Sequence, residues 1–250
     1  MKQVILIFFS ALLFTSSCKK REEPAPPTTV SESPSITLSF NNVVNGSAMQ
    51  LKTENYVNDN GDTFTVNAYK YYISNIKFTK DDGSQFSERE SYHLIDEETT
   101  SSKTFTIKDL PTGKYIKISF LIGVDSERNV SGAQTGDLDP AKGMFWSWNT
   151  GYVMAKFEGY SPQAGQYPNN LGFHIGGINS MRWVTLQLPS PVTIDQNSAK
   201  HIYLKSDAAE WFKTPLLIKF AEFSFVANPS TAANNIANNY ADMFSIDRVE

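Results

Sequence analysis

The sequence reads as an all-β chain, one antiparallel β-sandwich or barrel-like domain closed by a short C-terminal helix. Three observations predict this. Many short runs alternate apolar and polar side chains at the two-residue period of a half-buried strand. Turn-forming residues punctuate those runs. No long amphipathic helix lies between them to carry parallel crossovers.

The alternating runs are Ile36–Phe40, Lys70–Phe78, Thr104–Ile107, Tyr115–Ile122 and Trp183–Leu188, with further strands expected at Gly151–Glu158, Lys200–Lys205 and Leu216–Val226. Phe, Tyr, Val, Ile and Thr dominate them, as a pleated surface prefers. Turn signals stand at Asn60-Gly61-Asp62, at Asp81-Asp82-Gly83 and at Leu110-Pro111-Thr112-Gly113. Two helical pieces are expected. Asp207–Phe212 reads as a short turn, and Pro229–Met243 places Ala233, Ile236, Ala237, Tyr240 and Met243 at helical spacing behind a Ser/Thr cap. There is no internal repeat and no second linker, so residues 36–250 are read as one domain.

The N-terminus carries a different signal. Residues 1–17 run from Lys2 through an apolar stretch to the small residues Thr15-Ser16-Ser17. That is shorter than the ~20 apolar residues of a membrane span and has the order of a cleaved secretory segment. Cys18, the only cysteine, follows at once, which excludes an intrachain disulfide and reads as a lipidated N-terminal cysteine. Each buried acyl methylene contributes about 0.8 kcal/mol, so several chains hold a protein on a membrane without a span. Residues 18–35 carry Pro24, Pro26, Pro27 and Pro34 among Ser, Thr and Glu, and read as a disordered tether. The expected location is the cell envelope, lipid-anchored at the outer membrane and either periplasmic or surface-exposed.

The formal charge of −4 becomes −5 when Lys2 leaves with the signal segment. Beyond the Lys19-Lys20-Arg21 stub there is no basic cluster, which argues against a nucleic-acid partner. Nucleophilic hydrolysis is also disfavoured: the chain has no Gly-x-Ser-x-Gly elbow and no cysteine inside the domain. The chain is therefore read as a binder and not as an enzyme.

Metal chemistry is limited by histidine supply, since only His93, His174 and His201 exist. Zinc sites of the usual kinds are disfavoured, whereas copper remains open with two imidazoles and one further ligand. Strand alternation places His93 with Ile95, opposite Tyr92, Leu94 and Asp96. His174 stands among Gly172, Gly176 and Gly177, which permit close approach of a second chain or a ligand. His201 opens a strand and reads as structural. Trp146 and Trp148, spaced to share one strand face, form either a wall of core or the lining of a site. Asp125, Asn129, Asp137 and Asp139 crowd a Gly-rich loop, an arrangement of oxygen ligands in which calcium is a candidate.

Three segments carry a resemblance to a known family. Gly123–Gly132, Leu138–Tyr152 with Phe157-Glu158-Gly159, and Phe173–Gly177 resemble the MbnP-like copper-binding proteins of Bacteroidetes-type bacteria. The likeness extends from about Ile36 to the end, through Tyr71–Ile76 and Tyr240–Phe244. It implies a sandwich-like envelope protein related to methanotroph copper-uptake proteins. In these, copper(I) is held by histidines beside a tryptophan-derived kynurenine, and a di-haem peroxidase-like partner oxidises the tryptophan. Here the resemblance points to Trp148 and Trp146 for the tryptophan and to His174 and His93 for the ligands. Many relatives carry a histidine near the C-terminus, where this chain has Arg248. A second reading, from aromatic content and the lipid tether alone, is a cell-surface glycan-binding or adhesion sandwich using Trp146, Trp183 or Trp211.

Overall fold

The computed structural model describes residues 33–149, 151–165 and 169–250. The expected signal segment, Cys18 and all but the end of the tether lie outside the described residues. Strands β1 (Ser35–Val44), β2 (Ser47–Ala48) and β3 (Tyr56–Val57) precede the long β4 (Thr63–Lys80). Then come β5 (Gln85–Ser87), β6 (Tyr92–Asp96), β7 (Thr104–Lys108) and β8 (Gly113–Ile122). A one-turn helix α1 (Ser126–Asn129) opens the loop that leads to β9 (Val153–Tyr160) and β10 (Asn170–Gly176). The chain closes with β11 (Arg182–Ile194), β12 (Ala199–Asp207), β13 (Phe225–Val226), α2 (Thr231–Tyr240) and β14 (Phe244–Val249).

These strands form two sheets. The smaller runs β14-β12-β1-β2, with β7 also on β1; the larger runs β11-β8-β4-β9-β10-β13, with β3, β5 and β6 also on β4. Ile73 of β4 pairs with His93 on one side and Ile122 on the other, and Tyr71 likewise pairs with Ile95 and Ala155. So β8 and β9 lie end to end along one edge of β4, and β6 occupies the opposite edge. Neither sheet closes into a barrel, and the sandwich is what holds of the expected architecture.

A first correction concerns two strand pairs within the otherwise antiparallel arrangement of the named strands. β1 pairs with β12 in parallel, Leu38 beside Ile202 and Phe40 beside Leu204, and β13 pairs with β10 in parallel. Parallel neighbours need long connections, and here most of the larger sheet intervenes between β1 and β12. A second correction concerns Leu216–Val226, of which only Phe225 and Val226 are strand. Side chains capture the backbone of the rest: Leu216 N donates to Asn239 Oδ1 at 2.9 Å and Phe220 N to Asp62 Oδ2 at 3.0 Å. With those groups satisfied locally, no ladder is required.

The principal core lies between the sheets and is heavily aromatic. Phe40, Tyr71, Phe120 and Phe244 meet edge to face, and Trp211 packs 4.9 Å from Tyr240 of α2. Each such buried side chain contributes about 1.5–3 kcal/mol. Helix α2 starts where expected, with the Ser230 hydroxyl accepting from Ala233 N at 3.2 Å. A second, smaller core lies on the outer face of the larger sheet, where Tyr72, Leu94 and Met154 are covered by Leu138, Met144, Trp146 and Tyr152 from the 124–152 segment. It is the floor of the candidate site. Among the described residues no helix is long and apolar enough to cross a membrane.

Candidate functional site

The Trp146–Trp148 segment is a loop and not the strand its alternation suggested. Only Phe145 bridges to Tyr152, and the turn is closed by Val153 N donating to Met144 O at 2.8 Å and Trp146 N to Gly151 O at 3.2 Å. Asn129, at the end of α1, pins it from outside by accepting from Tyr152 N at 2.7 Å. Because the segment leaves the sheet, the two indoles have different surroundings. Trp146 is 5% exposed and belongs to the second core; Trp148 is 64% exposed. Their rings still meet, with centroids 5.4 Å apart and planes tilted by 39°.

β10 supplies the imidazole, and its glycines set the approach distances. The Trp146 ring lies so close over Gly176 that a Cβ there would stand 2.4 Å from its Cη2 atom. The Phe225 ring lies over Gly172, 2.6 Å from where that Cβ would be. His174, between these two glycines on the same face, has its ring centroid 6.5 Å from that of Phe225. One shallow cleft gathers Glu158, His174 and Phe225; a second joins Phe225 to Trp148. Phe225 is therefore shared by the clefts holding the imidazole and the exposed indole.

His174 Nε2 lies 2.7 Å from Glu158 Oε1, and Lys156 Nζ lies 3.4 Å from the same oxygen. In the β9–β10 register His174 faces Lys156, and Glu158 reaches it along the diagonal. The hydrogen bond from His174, aided against partial burial by the charge of Lys156, holds the Glu158 carboxyl down at about 2 from an ordinary 4.5. Glu158 and Phe225 are neighbours of His174 that sequence reasoning did not single out. The same-face pair Lys156 and Glu158 was visible in the sequence, but its meeting with His174 depends on strand pairing.

His93 is not brought to this place. It stands opposite Ile73, which faces the principal core, whereas His174 stands opposite Lys156 and, one strand further, Lys70. Lys70 and Ile73 are an odd number of residues apart on a regular stretch of β4, so the two histidines project from opposite faces of the sheet. His93 stacks flat on Phe105, centroids 3.6 Å apart, with Nε2 2.9 Å from Glu88 Oε2. One ion cannot be shared by His93 and His174 in this fold. His201 is in the smaller sheet, bonded to Ser39 Oγ at 2.8 Å and stacked on Tyr203.

In the acidic loop named as a calcium candidate the carboxylates meet protein donors. Asp125 caps α1 through Arg128 N and accepts from Tyr92 and Asn75. Asp137 takes Lys142 Nζ and Leu94 N, and Asp139 accepts from Ala141 N. The carboxylates are spent on protein donors. Among the described residues no three His, Cys, Asp or Glu side chains group so as to hold a metal ion. For copper, the outer face thus provides one imidazole, His174, and one carboxylate, Glu158. An unmodified indole offers no lone pair, so the donor set fits copper only if a tryptophan is converted to a group carrying a nitrogen or ketone donor.

The aromatics named for a glycan platform separate clearly. Trp211 is 0% exposed and Trp146 nearly so, which removes both as stacking surfaces, and Trp183, 55% exposed, lies under the Lys77 ammonium at 4.9 Å.

Comparison with known proteins agrees with this architecture. The solved structure of MbnP from Methylosinus trichosporium is similar to this chain with a TM-score of 0.51 at 13% identity, covering 85% of this chain and 97% of that one. At that identity the likeness concerns the fold. No curated protein matches. The family model MbnP matches residues 33–235, most of the chain and all three motif segments. The chain belongs to the MbnP family.

Proposed function

We propose that this protein is an extracytoplasmic copper-binding lipoprotein that captures or hands on copper, with its site on the outer face of β10. One observation carries the reading: an exposed indole, Trp148, packs at a tilt against the buried Trp146, which lies over Gly176 of β10, the strand that bears His174 with its partner Glu158 on β9. Imidazole is a ligand that suits copper. Oxidative cleavage of the C2–C3 bond of the Trp148 indole, the more accessible ring, adds two oxygens and gives an N-formyl ketone. Hydrolysis then releases formate and leaves an aniline nitrogen beside the ketone. Two equivalents of peroxide, delivered by a di-haem peroxidase-like protein, are the oxidant and oxygen source. Trp146 is the alternative target and, in either case, the wall behind the site. Copper(I) is the expected state of the bound ion. The chain itself is no enzyme in this reading; it is the partner's substrate and afterwards a binder. Lipidation at Cys18 keeps it at the outer membrane, on the periplasmic or the outer surface.

The test is thermal unfolding of protein purified from its native host, with and without copper(I). A ligand bound only by the folded chain at a hundredfold over its Kd stabilises it by about 2.7 kcal/mol, which raises Tm by roughly 2–4 °C per kcal/mol for a domain of this size. The shift is expected to vanish in Trp148→Phe. Equal melting with and without copper(I) in the native-host protein contradicts the reading and leaves the adhesion module as its replacement.

A further inference from the structure

We propose that Glu158 is a positioning residue: it fixes His174 as the Nε2–H tautomer and so reserves Nδ1 as the nitrogen through which this imidazole meets a soft metal cation. The proposal rests on the copper reading above and adds to it the ligand atom and the residue that selects it.

A neutral imidazole carries one donor and one acceptor nitrogen, and the hydrogen bond made by one decides the role of the other. Glu158 Oε1 stands 2.7 Å from His174 Nε2. An ordinary glutamate carboxyl is ionised at neutral pH, and an ionised carboxylate only accepts. Nε2 must therefore hold the proton, and the lone pair is on Nδ1. Lys156 Nζ, 3.4 Å from the same oxygen, keeps the carboxylate charged and on station. This is the relation by which carboxylates beside metal-binding histidines orient the ring and raise its basicity.

The other histidines serve as comparisons. His93 also places Nε2 against a carboxylate, Glu88, but its ring is stacked flat on Phe105 on the core side of the sheet. His201 meets a hydroxyl, which both donates and accepts and so selects no tautomer. Of the three, only His174 combines a carboxylate that fixes its tautomer with a place on the face that carries the tryptophans.

The experiment is long-range proton–nitrogen NMR of uniformly nitrogen-15-labelled protein from its native host. It is recorded at about pH 8, where an ordinary imidazole is neutral, before and after addition of copper(I). The metal-free protein is expected to show Nε2 protonated and Nδ1 bare at His174, and copper(I) to move His174 Nδ1 while leaving both nitrogens of His93 in place. Glu158→Ala is expected to release His174 into a mixture of tautomers and to weaken copper(I) binding by about 10–100-fold. Glu158→Gln, which retains an oxygen acceptor, is expected to recover part of both. A protonated Nδ1 in the metal-free protein with copper still bound, or unchanged tautomer and affinity in Glu158→Ala, overturns the proposal and leaves the copper reading standing. An Nε2–H tautomer released by Glu158→Ala, with no nitrogen responding to copper(I), overturns the copper reading and with it the metal role of Nδ1.

Discussion

Gly176 lies directly beneath Trp146: a methyl group at that Cα would stand 2.4 Å from the indole Cη2 and 2.8 Å from the carbonyl oxygen of Tyr152. The buried tryptophan is held against β10 because one strand residue has no side chain. Gly176→Ala is expected to push the ring off the strand and cost about 1–3 kcal/mol, as overpacking does. Thermal unfolding checks the cost, and the fluorescence of Trp146 reports its displacement.

The two tryptophans are expected to separate in a stability assay. Trp146→Ala removes a buried ring from the second core and should cost about 3–5 kcal/mol. Trp148→Ala, at an exposed position, should cost under about 1 kcal/mol while abolishing copper binding. Urea unfolding of both variants beside the parent provides the comparison. A large loss in Trp148→Ala would make that residue part of the core and not of a site.

Acid sensitivity should pass in part through Glu158. Its folded carboxyl titrates at about 2, below the ordinary 4.5. A depressed carboxyl contributes stability that is complete above the unfolded value, and this is lost as pH falls from about 4.5 towards 2. The group is partly exposed, so the contribution is under about 1 kcal/mol after screening. Glu158→Gln is expected to flatten the stability profile over that window and to leave it unaltered near neutrality apart from a constant offset. Denaturation midpoints across the acid range report the slope.

Cys18 should govern location without affecting the fold. Cys18→Ser is expected to move the protein from the membrane fraction to the soluble one with its Tm unchanged, since the described domain begins at β1. Fractionation after expression in the native host reads this directly. Retention at the membrane would call for another anchor.

Much of the fold was legible because strand signals are local. Lys70–Phe78 lies within β4, Tyr115–Ile122 within β8, and Ser230 caps α2 as its spacing suggested. Alternation also put His93 on the face of Ile95. It misled at Leu216–Val226 and at Trp146–Trp148, where apolar spacing suits a strand but the backbone is satisfied otherwise, by Asp62 and Asn239 in one case and by a tight loop in the other. The site was half legible. The glycines around His174 signalled close approach, and Phe225 and Trp146 make it. The pairing of His174 with Glu158, and the sheet that separates His93 from both, follow from register between strands distant in the chain, which no single segment encodes.

The most direct test of the central claim, that Trp148 and His174 belong to one copper site completed by a modified tryptophan, is intact and peptide mass spectrometry of the protein from its native host, with metal content measured on the same sample. The account expects the peptide carrying Trp146 and Trp148 to have the mass of an added pair of oxygens or of kynurenine, the change located at Trp148, together with bound copper. Unmodified tryptophans and no copper in that sample would contradict it.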